Sequence, residues 1–385
     1  MFGPMTFGVL ALIVCAGLAG PLLSLGGRGL VPVVVGELAA GVLVGRTGVR
    51  WVDPGQATTA FLSAVGFAML MFAAGMHVPI RQPGIDRGLR RGAVAAVAAG
   101  AASVPAGIAI AAILGGGHAA IYALLLAGGS AAILLPVVEE QGLLDRQPVL
   151  TLMAQVAIAD VAAIVALPLV LQPSKAGAAA LGGLAVAAAA VALLAVAHLL
   201  RGHPLVDRAR QASKRHGWAL DLRAALLALF GLAWIATRSG TSVLIAGFSA
   251  GLLVAVVGGP KRLSTQVGGI AAGFFIPLFF VVLGAKLDLR AVVQKPSILE
   301  LTGLLVAANV VVHAFAAALT RQTPGAALAA TAQLGLPAGV VTLGLAHHLI
   351  SPAQGGAVLL AALVTIGLCP AGIELLVRAD PAGSG

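Results

Sequence analysis

The chain has 385 residues, 60% of them hydrophobic and only 9% charged, with a mean hydropathy of +1.06 and a formal net charge of +10. Too little polar surface exists to cover a soluble core of that apolarity, and apolar runs of about 18 residues or more recur along the whole length, so a polytopic membrane protein is predicted. The runs are rich in Ala, Leu and Gly without strict alternation, which favours helices over a closed barrel. The basic balance then reads as Lys and Arg in cytoplasmic loops rather than as a nucleic-acid footprint.

Thirteen helical spans are predicted, at about 5–25, 30–45, 57–77, 93–114, 119–140, 148–171, 177–200, 222–238, 241–258, 267–286, 298–320, 324–348 and 355–377. The first, "MFGPMTFGVLALIVCAGLAGPLL", lacks a basic leading region and reads as a span, not a cleaved signal. The longest interruption is the polar stretch "RGHPLVDRARQASKRHGWALDLR" at 201–223, which leaves no room for a separate nucleotide-binding or regulatory domain. With the N-terminus outside, 16 Lys and Arg fall on the inner side and 7 on the outer, which orients the C-terminus to the cytoplasm of a cell (plasma) membrane. Cys15 and Cys369 lie in apolar runs without metal-ligand spacing, and no metal or cofactor is implied.

Two pairs of stretches match at matched spacing. "AAGVLVG" (39–45) resembles "SAGLLVA" (249–255), and "MFAAGMHVPIR" (71–81) resembles "FVVLGAKLDLR" (280–290). Gly41 and Gly75 are 34 residues apart, Gly251 and Gly284 33. The pairs sit seven spans apart, an odd offset, so the halves run oppositely through the membrane. This predicts two inverted repeats, 1–171 and 222–378, joined by a linker span and cytoplasmic loop (172–221), with a short tail at 379–385. In each half one span should be discontinuous. Span 5 holds Gly128, Gly129, Ser130 and Pro136; span 12 holds Gln333, Gly335, Pro337 and Gly339. Gly loosens a helix, Pro removes a donor, and opposed half-helix ends present partial charges.

Span 6 carries a lone acid, Asp160, in "QVAIADVAAIVALPLV". A carboxylate at that depth should face a cavity or the protein interior. One that holds either a proton or a monovalent cation, but not both, is the minimum chemistry for exchange. Together with Asp160, the stretches "LVPVVVGELAAGVLVG" (30–45), "SAVGFAMLMFAAGMHV" (63–78), "LPVVEEQGLL" (135–144), "IADVAAIVALPL" (158–169), "PLFFVVLGAKLDL" (277–289) and "AALVTIGLCP" (361–370) resemble the monovalent cation:proton antiporter superfamily, in the family's order and over nearly the whole chain. The resemblance implies the sodium/proton antiporter fold, a core domain moving elevator-fashion against a dimerisation domain, and a homodimer.

Three departures from the family pattern stand out. Ala159 precedes Asp160 where the family has Asn or Asp. The first break offers Gly129-Ser130 in place of Thr-Ser or Thr-Asp, leaving Ser130 as its side-chain oxygen. Span 11 puts His313 about where the family carries Lys or Arg. His313 is either a titrating partner of Asp160 or a neutral histidine bonded to a backbone carbonyl, and Asn309, one turn earlier, either faces the same way or makes an interhelical hydrogen bond.

Other polar residues rank lower. Glu37 is read as structural, and His77, Lys286 and Asp288 as span-end residues reaching the interface. His347-His348 is a weak metal signal. Gln155, five residues before Asp160, need not share its face, and Gln333 is the better supporting candidate.

The expected protein is a non-enzymatic secondary transporter exchanging Na+ or K+ for protons in the lipid bilayer. Asp160 and Ser130 form its site, completed by the backbone around Gly128, Gly129, Gln333, Gly335 and Pro337, and one carboxylate without a fixed basic partner suggests electroneutral exchange. Two rivals use the same scaffold: a proton-coupled efflux carrier of an organic or ionophore-like substrate, and a potassium efflux channel-like or non-transporting sensor protein.

Overall fold

The computed structural model describes residues 6–26, 33–76, 85–140, 142–143, 146–258, 261–287 and 296–379, and among them every regular element is helical. The helices are α1 (Phe7–Gly17), α2 (Ala19–Gly26), α3 (Val33–Val44), α4 (Ala57–Met76), α5 (Ile85–Leu114), α6 (Ala119–Ala127), α7 (Ala131–Glu140), α8 (Gln147–Leu171), α9 (Ala176–Leu199), α10 (Pro204–His216), α11 (Leu220–Arg238), α12 (Val243–Val257), α13 (Lys261–Ile270), α14 (Ile276–Lys286), α15 (Pro296–Leu319), α16 (Pro324–Ala330), α17 (Gly335–Ala346) and α18 (Pro352–Ala379). A π-helical turn, Ala271–Phe275, joins α13 to α14.

Among the described residues, ten helical segments are long and apolar enough to cross a membrane. The apolar helices α3 and α12 are shorter, and α6 and α7 are two short halves in line. The expectation of thirteen spans rests on those shorter pieces as well as on the ten. Large apolar side chains that point away from the protein, such as Leu22, Leu25, Leu181, Leu184 and Trp234, are what a lipid-facing perimeter needs.

The glycines of the two matched motifs meet each other. A Cβ built on Gly41 of α3 would stand 2.2 Å from the Val281 carbonyl oxygen of α14, and one on Gly284 of α14 would stand 2.3 Å from Leu38 O of α3. The reciprocal crossing has the same form: Gly75 of α4 faces Phe248 O of α12 at 2.3 Å, and Gly251 of α12 faces Phe72 O of α4 at 2.1 Å. Each crossing therefore joins a motif from one half to the complementary motif of the other, backbone against backbone, and only a residue without Cβ fits.

The polar interruption contains an element not expected from its composition, the helix α10. His203 Nδ1 accepts from the Leu205 N–H at its start. Asp207 sits in the first turn and Lys214, Arg215 and His216 in the last, matching the helix dipole, and Gly217 ends it in the left-handed conformation (φ 70°). His77 and Asp288 lie outside the described residues. Lys286 is half-buried as the last residue of α14, and Glu37 is buried on α3 against Gly20 of α2.

Candidate functional site

The first discontinuity falls at Gly128, Gly129 and Ser130. The helix α6 stops at Ala127, Gly128 is extended (φ −74°, ψ 167°), and the Ser130 carbonyl accepts from Ile133 and Leu134 to start α7. The second falls between Ala330 and Gly335, separating α16 from α17. Small residues let the two interruptions approach. A Cβ on Gly128 would stand 2.4 Å from Leu336 Cδ2 and 3.0 Å from Gln333 Oε1.

Side chains from neighbouring helices meet the backbone groups that the breaks release. Gln333 Nε2 donates to the Leu125 carbonyl, near the end of α6, at 2.5 Å. Asn309 Nδ2, from α15, donates to the Thr331 carbonyl at the end of α16 at 3.3 Å. The Asn309 amide thus clamps the second break rather than reaching Asp160. Asn309 Oδ1 and Gln333 Oε1 have no hydrogen-bond partner, and both residues line a cavity of about 20 Å³ with Leu125, Pro337 and Thr365, room for about one water.

Asp160 lies on α8, 6% exposed, and its carboxylate faces the backbone N–H of Ala131, the first residue of α7. That N–H belongs to a helix N-terminus, whose partial positive charge favours an anion. Ser130, also buried, is the residue before it, and Ala159 beside Asp160 adds no polar atom. His313 of α15 is 1% exposed and lies by the Gly128 backbone at the other end of the same break, though its Nε2 closes no hydrogen bond of normal geometry. Its Nδ1 partner is Gln155 of α8, at 3.4 Å, and not Asp160. Gln155 Oε1 in turn accepts from Gln322 Nε2 at 2.9 Å. Gln155 had ranked low because five residues turn a helix well past one face, and Gln322 had not been singled out. Their signal is an amide inside an apolar span (Gln155) and one between two spans (Gln322), but which helix they address depends on packing. His347 pairs with the amide of Gln172, away from both breaks.

Comparison with known proteins gives three findings. The family description "Sodium/hydrogen exchanger, transmembrane" matches residues 9–379. Among curated relatives, YjbQ of Bacillus subtilis (strain 168), a candidate Na(+)/H(+) antiporter by its name, is 25% identical over 358 residues, covering 87% of this chain and 57% of its own length. GerN of Bacillus cereus, named a Na(+)/H(+)-K(+) antiporter, is 23% identical over 301 residues, covering 75% of this chain and 74% of its own. The chain therefore spans little more than half of the first relative. Among solved structures, the sodium proton antiporter MjNhaP1 from Methanocaldococcus jannaschii superimposes with a TM-score of 0.61 at 15% identity, over 97% of this chain and 96% of that one, which is a likeness of fold.

Proposed function

Because the chain belongs to the transmembrane sodium/hydrogen exchanger family, we propose that it exchanges protons for Na+ or K+ across the membrane, with Asp160 holding proton and cation in turn. The observation that carries this reading is the placement of one buried carboxylate against the N-terminal end of α7, at a break made of Gly128, Gly129 and Ser130. In its ionised form Asp160 is balanced by the Ala131 N–H and offers lone pairs to a cation, which Ser130 and the opened backbone complete. A proton on the carboxylate removes the charge that holds the cation, so the two ligands exclude one another. Competition at one group, exposed alternately to either side, is sufficient for antiport.

The remaining features of the reading follow from this site. Asp160 is the acid that faces the first break among the described side chains, and His313 is engaged by a neutral amide, which supports one-for-one, electroneutral exchange. The reading includes thirteen spans in two inverted repeats, the N-terminus outside and the C-terminus in the cytoplasm, an elevator movement of the crossing-helix core, and a homodimer. The reciprocal glycine crossings support the repeats, and the family membership supports the movement. A second reading, proton-coupled efflux of an organic or ionophore-like substrate, is favoured by one observation: Ala159 leaves Asp160 without an adjacent polar side chain on its own helix.

The test is cation-evoked proton movement in everted vesicles carrying a pH dye, pulsed with Na+, Li+ and K+. Wild type should respond and Asp160→Asn should not. A response that survives the substitution overturns the role of Asp160, and silence toward all three cations with protein present moves the assignment to the organic cargo.

A further inference from the structure

The amide chain that ends on His313 determines where that histidine carries its proton. Thr320 Oγ1 donates its one hydrogen to the Ala316 carbonyl at 2.7 Å, so toward Gln322 it only accepts. The group of Gln322 that faces it at 3.0 Å is therefore the amide nitrogen. The same nitrogen uses its second hydrogen on Gln155 Oε1 at 2.9 Å. Gln155 is thereby fixed with its oxygen toward Gln322 and its nitrogen toward His313 Nδ1 at 3.4 Å. An amide nitrogen only donates, so Nδ1 accepts, and the ring proton sits on Nε2. The ring lies by the Gly128 backbone, whose carbonyl is a ready acceptor.

We propose that Gln155 and Gln322 are positioning residues that hold His313 in its Nε2-protonated form and aim it at the Gly128 end of the first break, where α6 stops. This rests on reading the crossing as the exchange site. His313 then lies by Gly128 at one end of the break while Asp160 faces Ala131 at the other. The two residues bracket the same three-residue break, so losing one changes the geometry presented to a cation at the other. The chain has a second self-consistent arrangement. If Thr320 turns its hydroxyl to Gln322 and both amides flip, Gln155 presents its oxygen to His313, and Nδ1 must carry a proton. The half-buried Gln322, in the turn between α15 and α16, thus sets the tautomer of a histidine it does not touch.

Solid-state ¹⁵N NMR of histidine-labelled protein in lipid, with the His313 signals identified by their loss in His313→Gln, reads the tautomer directly. Wild type should show a neutral ring with the proton on Nε2. Gln322→Glu cannot donate to Gln155 Oε1 and should turn that amide round, moving a proton to Nδ1; Gln322→Leu should give a mixture. In proteoliposomes, Gln155→Leu and Gln322→Leu should raise the KM for the cation about tenfold with a smaller change in kcat, the loss of roughly one buried hydrogen bond. A wild-type proton on Nδ1, or His313 signals unmoved in both folded Gln322 variants, overturns the proposal. So does a shifted tautomer with an unchanged KM, which removes its bearing on the site. If wild type moves no cation at all while the tautomer responds as expected, the relay stands and the exchanger reading falls. Gln322 is half-buried and outside the spans, so its variants report even if Gln155→Leu fails to fold.

Discussion

The two breaks occupy matching places in the two halves, yet they are served by different chemistry. Ionisable groups attend the first: Asp160 faces Ala131, and His313 lies by Gly128. A neutral amide attends the second, with Asn309 on Thr331, while Gln333 of the second break reaches across to the Leu125 carbonyl of α6 at the first. Backbone groups freed by a break need partners in either case. A neutral amide presents the same groups at all times, whereas an acid keeps an acceptor but loses its charge when it takes a proton. On the proposed function, exchange belongs to the first break, where the ionisable side chains lie, and Asn309 restrains the second.

The largest effect should come from the acid at the first break. Asp160→Asn keeps the shape and a hydrogen-bond acceptor but removes the charge, and cation-evoked proton movement should fall to the background of empty vesicles while the thermal midpoint holds or rises. A folded variant that still exchanges would erase the distinction between the breaks.

Next is the scaffold that both breaks share. Gly41→Ala drives a Cβ into the Val281 carbonyl, an overpacking that should cost about 1–3 kcal/mol. It should lower the denaturation midpoint in detergent, as should Gly251→Ala at the reciprocal crossing against Phe72. Similar losses at the two sites are expected if the halves are structurally equivalent, and a loss at one alone would break that equivalence.

At the second break, Gln333→Leu strands the buried Leu125 carbonyl and should cost about 1–3 kcal/mol of stability. Exchange should persist in the protein that remains folded, with little change in which cations are moved. A Gln333→Leu variant that is stable but silent would place chemistry at the second break too. The smallest effect belongs to the exposed pair Arg210–Asp221, 3.3 Å apart. Arg210→Ala should shift stability by less than about 1 kcal/mol and leave exchange unchanged, which makes it a control for expression and insertion.

Much of the fold is readable from local pattern. Span length follows from bilayer thickness, and a Gly-Gly-Ser run inside an apolar stretch predicts an interruption because those residues resist a continuous helix. Asp160 is legible for the same reason: a carboxylate in a run of Ala, Val, Ile and Leu has few explanations. The helix α10 was not expected, because a polar, basic stretch carries no apolar stripe long enough to suggest one, and its caps and dipole-matched charges become meaningful only once its ends are known. The partner of His313 was not legible either. Gln155 and His313 are 158 residues apart, and helical spacing says which residues share a face of one helix but not which helix that face meets.

The sequence by itself determined a helical membrane protein, the repeated motifs, the places where two helices break, and the acid Asp160 set among apolar residues next to the first break. Each follows from composition or spacing within a single segment, where water, lipid and backbone geometry act locally. Only the tertiary structure decided that Gly41 meets α14 and Gly75 meets α12, that Asn309 serves the second break while Gln333 reaches from it to the first, and that Gln322 reaches His313 through Gln155. Those pairings depend on the rotation and crossing of packed helices. They are set by the summed contacts of whole surfaces, and no short stretch of chain encodes them alone.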